Sequence, residues 1–390
     1  MQIYDIPRKL GIFITQWIAL LALSASLLMA GASSAVAGNG NWVISSVNCN
    51  ASQQHALHRD DDGTLWVGCG TGASGFGVYR SVDGGQTWSV PTTNPSDIIS
   101  TFRVHDIERG HDGALYLAGT VSDAGAQNRV IRLNTTTAQP YAANVILVGA
   151  ATAGLNDTIG HYAELPSGAA LTASQTGFTK LFRPNPGIGS SAQDWTRLDG
   201  IEPFTSLLSH NGGFYASGSR NSVRPRVFLP PRAQGAQVWQ LEEVILDNSY
   251  DGEMWGIAVN DQRVVAAGID QDENRGKIYV SQGDRYNPAN YTVHEFRDDG
   301  QSWAHGVCMR GDRIAVVGRR LPQGSRVLIS TNGGSSFSDA SPAGRTAIIT
   351  ECVIAPDGLL TVFGSGGFIG IWDGMLEGDQ IFRSRFQLGN

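Results

Sequence analysis

Apolar and polar residues alternate along this chain in runs of only four to six, and the runs end at glycine- or aspartate-rich turns. That is the period-two signature of short strands. No stretch after residue 37 sustains the 3.6-residue period of a helix. One phrase, a short apolar strand closing on glycine, recurs as Leu65-Trp66-Val67-Gly68, Tyr116-Leu117-Ala118-Gly119, Tyr215-Ala216-Ser217-Gly218, Val265-Ala266-Ala267-Gly268, Ala315-Val316-Val317-Gly318 and Thr361-Val362-Phe363-Gly364. Successive glycines are 51, 99, 50, 50 and 46 positions apart, and the 99 is two periods whose missing copy lies near Leu171-Thr172-Ala173. A uniform period of this length marks a circular or stacked array.

Each unit reads as four strands. In the first, His55 to Arg59 is strand A, Thr64 to Gly68 strand B, Val78 to Ser81 strand C, and Trp88 to Val90 begins strand D. Four-stranded units repeated about an axis make a β-propeller. The pattern therefore predicts an all-β, seven-bladed β-propeller of antiparallel blades, or six blades if the irregular third repeat is not a full one. Trp42 to Val47 is an extra strand ahead of the first repeat, expected to complete the last blade and close the ring. Such units cannot bury their faces alone, so residues 38–390 are expected to form one domain.

Residues 1–37 stand apart. Arg8 and Lys9 precede an apolar stretch from Ile12 to Ala30, and Ala35-Val36-Ala37 supplies a small-x-small cleavage pattern. The stretch approaches membrane-spanning length. Its Thr15 and Gln16, with the cleavage pattern, instead identify a removable secretory signal, so the mature protein is expected to be secreted or periplasmic, without a membrane span. Removing the segment takes Asp5, Arg8 and Lys9 and leaves 26 basic against 34 acidic side chains. That balance argues against a nucleic-acid partner, which needs a basic surface. Only Lys9, Lys180 and Lys277 are lysines, so positive charge is nearly all arginine, suited to forked contacts with carboxylate, sulfate or phosphate. Four cysteines in an exported chain suggest disulfides, and the repeat register favours Cys49–Cys69 and Cys308–Cys352, with buried free thiols as the alternative.

The turn after strand C of the first repeat, Ser81-Val82-Asp83-Gly84-Gly85-Gln86-Thr87-Trp88, matches the Asp-box pattern S-x-D-x-G-x-T-W at every defined position. Ser330-Thr331-Asn332-Gly333-Gly334-Ser335-Ser336-Phe337 is a weaker copy. On these residues the chain resembles the Asp-box (BNR-repeat), sialidase-like β-propellers. In that family the box is a structural hairpin away from the active site. The sialidase catalytic motifs are not matched: Phe102-Arg103-Val104 and Phe182-Arg183-Pro184 are faint echoes, and neither precedes the first Asp-box. No sialidase catalytic residue is carried over.

Aligned on the turns between strands A and B, the repeats show one column near the start of strand A: His55, His105, His161, Thr205, Trp255, His305 and Glu351. In a propeller this column should ring one mouth of the central channel. Three readings stay open. His55, His105, His161 and His305 could hold a transition metal, with Glu351 beside them. His and Glu could move protons on a bound sugar. Polar residues could simply line a wet channel. Loops on the same face carry Arg220, Arg224, Arg226, Arg275, Arg319 and Arg320, with Trp255 and Trp303 able to stack on sugar rings.

These residues predict an anionic ligand, such as an acidic glycan, bound at the channel mouth of a monomeric propeller. If catalytic, the protein would be a glycoside hydrolase or polysaccharide lyase; a lyase would use His105 or His161 as base, Tyr162 as acid and an arginine to neutralise the uronate. The alternatives are a non-enzymatic scaffold for a surface partner and a histidine-ligated metal centre. Asp247-Asn248-Ser249-Tyr250-Asp251-Gly252 begins like a calcium loop, but Ala258 at the twelfth position cannot supply the bidentate carboxylate, so calcium is not expected.

Overall fold

In the computed structural model the described residues are 40–48, 56–71, 74–91, 102–121, 127–136, 141–148, 159–174, 180–183, 195–198, 204–219, 224–296, 300–322 and 324–375. Their strands form seven small antiparallel sheets, the blades of a seven-bladed β-propeller. Blade 2 is representative, running Phe102–Arg109, Leu115–Val121, Gln127–Asn134 and Ala142–Val148 from the inner edge outward. Blade 3 is a full four-stranded sheet on the inner strand Ile159–Glu164, so the irregular third repeat does not reduce the ring to six. In blade 1, Ala56–Arg59, Leu65–Thr71 and Ser74–Ser81 form three strands, and among the described residues a single bridge between Arg80 and Ser89 stands at the place of the fourth.

Ring closure follows the expectation from sequence. Trp42–Ser46 pairs antiparallel with Phe368–Trp372 and so supplies the outer strand of blade 7, tying the start of the propeller to its end. The second strand of a blade is covered on both faces, which is why it reads as a continuous apolar run. Val264–Asp270 of blade 5 is buried at every position. Its Val265 and Ala267 pack with Ala304, Ile314 and Val316 of blade 6, so the core lies between blades as well as within them. No helix among the described residues is long and apolar enough to cross a membrane.

The recurrent glycine has a specific cause. In blades 2 to 7 the register between the inner strand and its neighbour slips by one residue near the strand start, a β-bulge. At each bulge the inner strand's backbone folds over the end of the neighbouring strand. A Cβ on Gly119, Gly268 or Gly318 would lie 1.8, 1.8 and 1.9 Å from the carbonyl oxygens of Arg103, Glu253 and Trp303. Only glycine admits that approach.

The two turns that match the Asp-box pattern, residues 81–88 and 330–337, fold alike. Ser81 donates to Asp83 Oδ1 at 2.7 Å, the amides of Gln86 and Thr87 donate to the same oxygen at 3.0 and 2.9 Å, and Gly84 and Gly85 hold φ of 69° and 81°. In the second copy the Gly334 amide donates to Ser330 Oγ at 2.9 Å, the Ser336 amide donates to Asn332 Oδ1 at 3.1 Å, and Gly333 and Gly334 hold φ of 67° and 82°. Cys308 and Cys352, on the inner strands of blades 6 and 7, form a disulfide. Cys69 is buried, and Cys49, its expected partner, lies outside the described residues.

Candidate functional site at the channel mouth

The inner strands converge on a cavity of about 150 Å³. His105, His161, Thr205, Trp255, His305 and Glu351 all line it. His55, the first member of the column, lies outside the described residues. The bulges refine the column into two rows. His105, Thr205, Trp255 and His305 occupy the bulged position, whereas His161 and Glu351 stand one residue further on, in register with Asp106. Turns of unequal length between strands A and B caused the offset. Because a bulge sets two residues against one partner, both rows reach the cavity: its wall includes His105 with Asp106, Thr205 with Ser206, and His305 with Gly306.

Asp106 is the residue that sequence reasoning missed. It accepts a hydrogen bond from the Tyr162 amide of the next blade at 2.8 Å, and burial pushes its carboxyl up to about 7. Glu351 is pushed up to about 8 by burial and by the charge of Asp106. Two residues along the inner strand, Glu108 reaches about 8 through burial, with Asp106 and Glu164 adding repulsion. The imidazoles move the other way. Burial lowers His161 to about 4, and burial with the nearby Arg319 charge lowers His305 to about 4. At neutral pH the His161 and His305 imidazoles are therefore neutral, and the Asp106 and Glu351 carboxyls are partly or largely protonated.

One wall is aromatic. Trp255 stacks on His305 with centroids 4.9 Å apart and planes within 10°, and its indole N–H donates to Glu253 at 2.8 Å. On the same blade as His305, the Arg319 guanidinium lies 3.8 Å above the Trp303 ring. Arg319 has no ion-pair partner among the described residues. The other predicted arginines are engaged. Arg226 is buried against Glu243, Arg224 donates to Asn248, Arg275 pairs with Glu273 at 3.3 Å and Arg320 with Asp339 at 3.7 Å. Arg220 lies outside the described residues. Arg103, which the sequence reading did not nominate, has no ion-pair partner among the described residues and holds in blade 2 the register position of Trp303.

One expectation needs correction. Tyr162 cannot serve as an acid at the mouth, because it neighbours His161 on one strand and so faces the opposite way. Its ring is buried, stacked on Tyr116 at 4.9 Å, and burial holds its hydroxyl well above the usual range. Of the four histidines read as a possible metal set, His55 lies outside the described residues, and among the described residues no three His, Cys, Asp or Glu side chains are grouped as a metal ion requires. The half-calcium loop is a local turn in which the Ser249 amide and hydroxyl donate to Asp247 at 2.7 and 2.6 Å.

No family model and no curated protein matches this chain. Solved structures do. The chain is similar to YCF48 bound to D1 peptide, with a TM-score of 0.58 at 16% identity over 85% of this chain and 96% of that one. Catalytically inactive virginiamycin B lyase from Staphylococcus aureus with quinupristin matches with a TM-score of 0.58 at 10% identity, over 86% and 99%. The Neurospora crassa Pan2 WD40 domain matches with a TM-score of 0.55 at 9% identity, over 86% and 96%. YCF48, virginiamycin B lyase and a WD40 domain have the ring of blades in common, and what they share with this chain is the β-propeller fold.

Proposed function

We propose that this chain is an exported ligand-binding propeller that takes an anionic, ring-bearing ligand at its channel mouth, an acidic glycan being the class that fits. The observation that carries this reading is Arg319, a guanidinium with no carboxylate partner among the described residues, held over the Trp303 ring beside the Trp255–His305 stack. A cation held over an aromatic face keeps its edge donors free for a carboxylate or sulfate, while the neighbouring rings offer faces for sugar carbons. Export is supported by the signal-like residues 1–37 and by the Cys308–Cys352 disulfide, a bond that persists in oxidising compartments.

Calorimetric titration with oligogalacturonate, and with a neutral oligosaccharide of equal length, tests the reading. Preferential binding of the acidic ligand, weakened about tenfold or more in Arg319→Ala, is the expected result. Equal binding of both sugars, or an unaffected variant, would overturn it. Following reducing ends in the same mixtures distinguishes binding from cleavage.

A further inference from the structure

Beneath the mouth, the cavity has a different chemistry from its rim. Its charged wall residues among those described are Asp106 and Glu351, both carboxyls, and neither Lys nor Arg lines it. Glu351 has no hydrogen-bond or ion-pair partner among the described residues. The Nε2 atoms of His161 and His305 are buried and have no hydrogen-bond partner among the described residues. Trp255 adds an aromatic wall. Unmatched polar atoms gathered around a small volume would be costly unless a partner pairs with them.

We infer that the channel cavity is a site for a single primary ammonium group, paired with the Glu351 carboxyl in a wall that also presents Asp106, the imidazoles of His161 and His305, and Trp255. Geometry selects the chemistry. The acceptors come from blades 2, 3, 6 and 7, on different sides of the axis. A tetrahedral ammonium directs its three N–H donors apart, so one can meet a carboxylate while the others turn to acceptors on other blades or to water, whereas a planar guanidinium needs one carboxylate facing its fork. A transition metal needs three ligands converging at about 2 Å, and no such set exists among the described residues. Cation attraction to an aromatic face completes the site. A volume of about 150 Å³ admits the ammonium and the first carbons attached to it, with the rest of the ligand leaving through the mouth. The inference concerns the cavity alone and holds whichever way the rim is used.

The amine could belong to an amino sugar or to a lysine side chain, and the test separates these sources. Calorimetry and tryptophan fluorescence would compare glucosamine with N-acetylglucosamine, and a short acetylated, amidated lysine peptide with its Nε-acetyl form. Each free amine is expected to bind, and each acetylated partner to bind at least about tenfold more weakly, since acetylation removes the charge and two donors. The tighter-binding amine identifies the source. Glu351→Gln and Asp106→Asn, each confirmed folded by its urea transition, should weaken the amine about tenfold or more. Equal binding of amine and acetylated forms, or no amine binding at millimolar concentration, would overturn the inference without recourse to any variant.

Discussion

Replacing Glu351 by glutamine should stabilise the protein, and the gain should grow with pH. In the folded chain the Glu351 carboxyl is raised to about 8 from an ordinary value of 4.5, chiefly by burial and secondarily by Asp106. A carboxyl raised in this way keeps its proton in the native state after the unfolded chain has lost it. Its contribution is therefore neutral below the unfolded value, and stability falls as pH rises from about 4.5 towards 8, then levels. The full shift corresponds to at most about 4 kcal/mol at pH 8. Water entering the channel screens part of it, leaving on the order of 2 kcal/mol. Glutamine fills nearly the same space and never ionises. Urea unfolding of both proteins from pH 5 to 8.5 should show a difference of a few tenths of a kcal/mol at pH 5, rising to on the order of 2 at pH 8. A difference that does not change with pH would refute the reasoning, because it would mean that Glu351 ionises freely in the fold.

Gly268→Ala should cost about 3 kcal/mol or more, because its Cβ would sit 1.8 Å from the Glu253 carbonyl and the bulge that presents Trp255 would have to move. By contrast Gly212→Ala, at φ of 76° in open space, should cost only about 1 kcal/mol in the same urea assay. Replacing Cys308 and Cys352 together by alanine should lose about 4 kcal/mol, the chain-entropy value for a separation of 44 residues, read as a lower urea midpoint. Asp83→Ala removes the acceptor for the Gln86 and Thr87 amides and should destabilise by about 1–2 kcal/mol while leaving ligand titrations unchanged.

How much of this was legible before the structure depended on what each feature does to spacing. The ring, its seven blades, the closing strand Trp42–Ser46 and the Cys308–Cys352 pair all follow from a register that repeats about every fifty residues, and strand pairing preserves that register. The site was legible in outline, since the nominated His105, His161, Trp255, His305 and Glu351 do surround one cavity. Asp106 was not, because a bulge changes which residue faces the channel without changing composition. Its trace in the sequence is the recurrent glycine, which is needed only where a backbone carbonyl crosses above it. Tyr162 was a lapse of periodicity, since adjacent residues of a strand point to opposite faces and His161 already held the channel side. Of the nominated arginines, Arg226 and Arg320 are engaged by Glu243 and Asp339 on other strands of the same blade, a pairing that spacing does not reveal, whereas Arg319 has no ion-pair partner among the described residues.

The central claim is that ligands are taken at the mouth of the channel by the bulged starts of the inner strands. Hydrogen–deuterium exchange with and without oligogalacturonate measures this most directly. Protection should concentrate on Gly252–Val259 and Ser302–Arg310, the strands that carry Trp255, Trp303 and His305. Protection confined to the Asp-box hairpins or to outer strands such as Tyr291–Glu295 would contradict it.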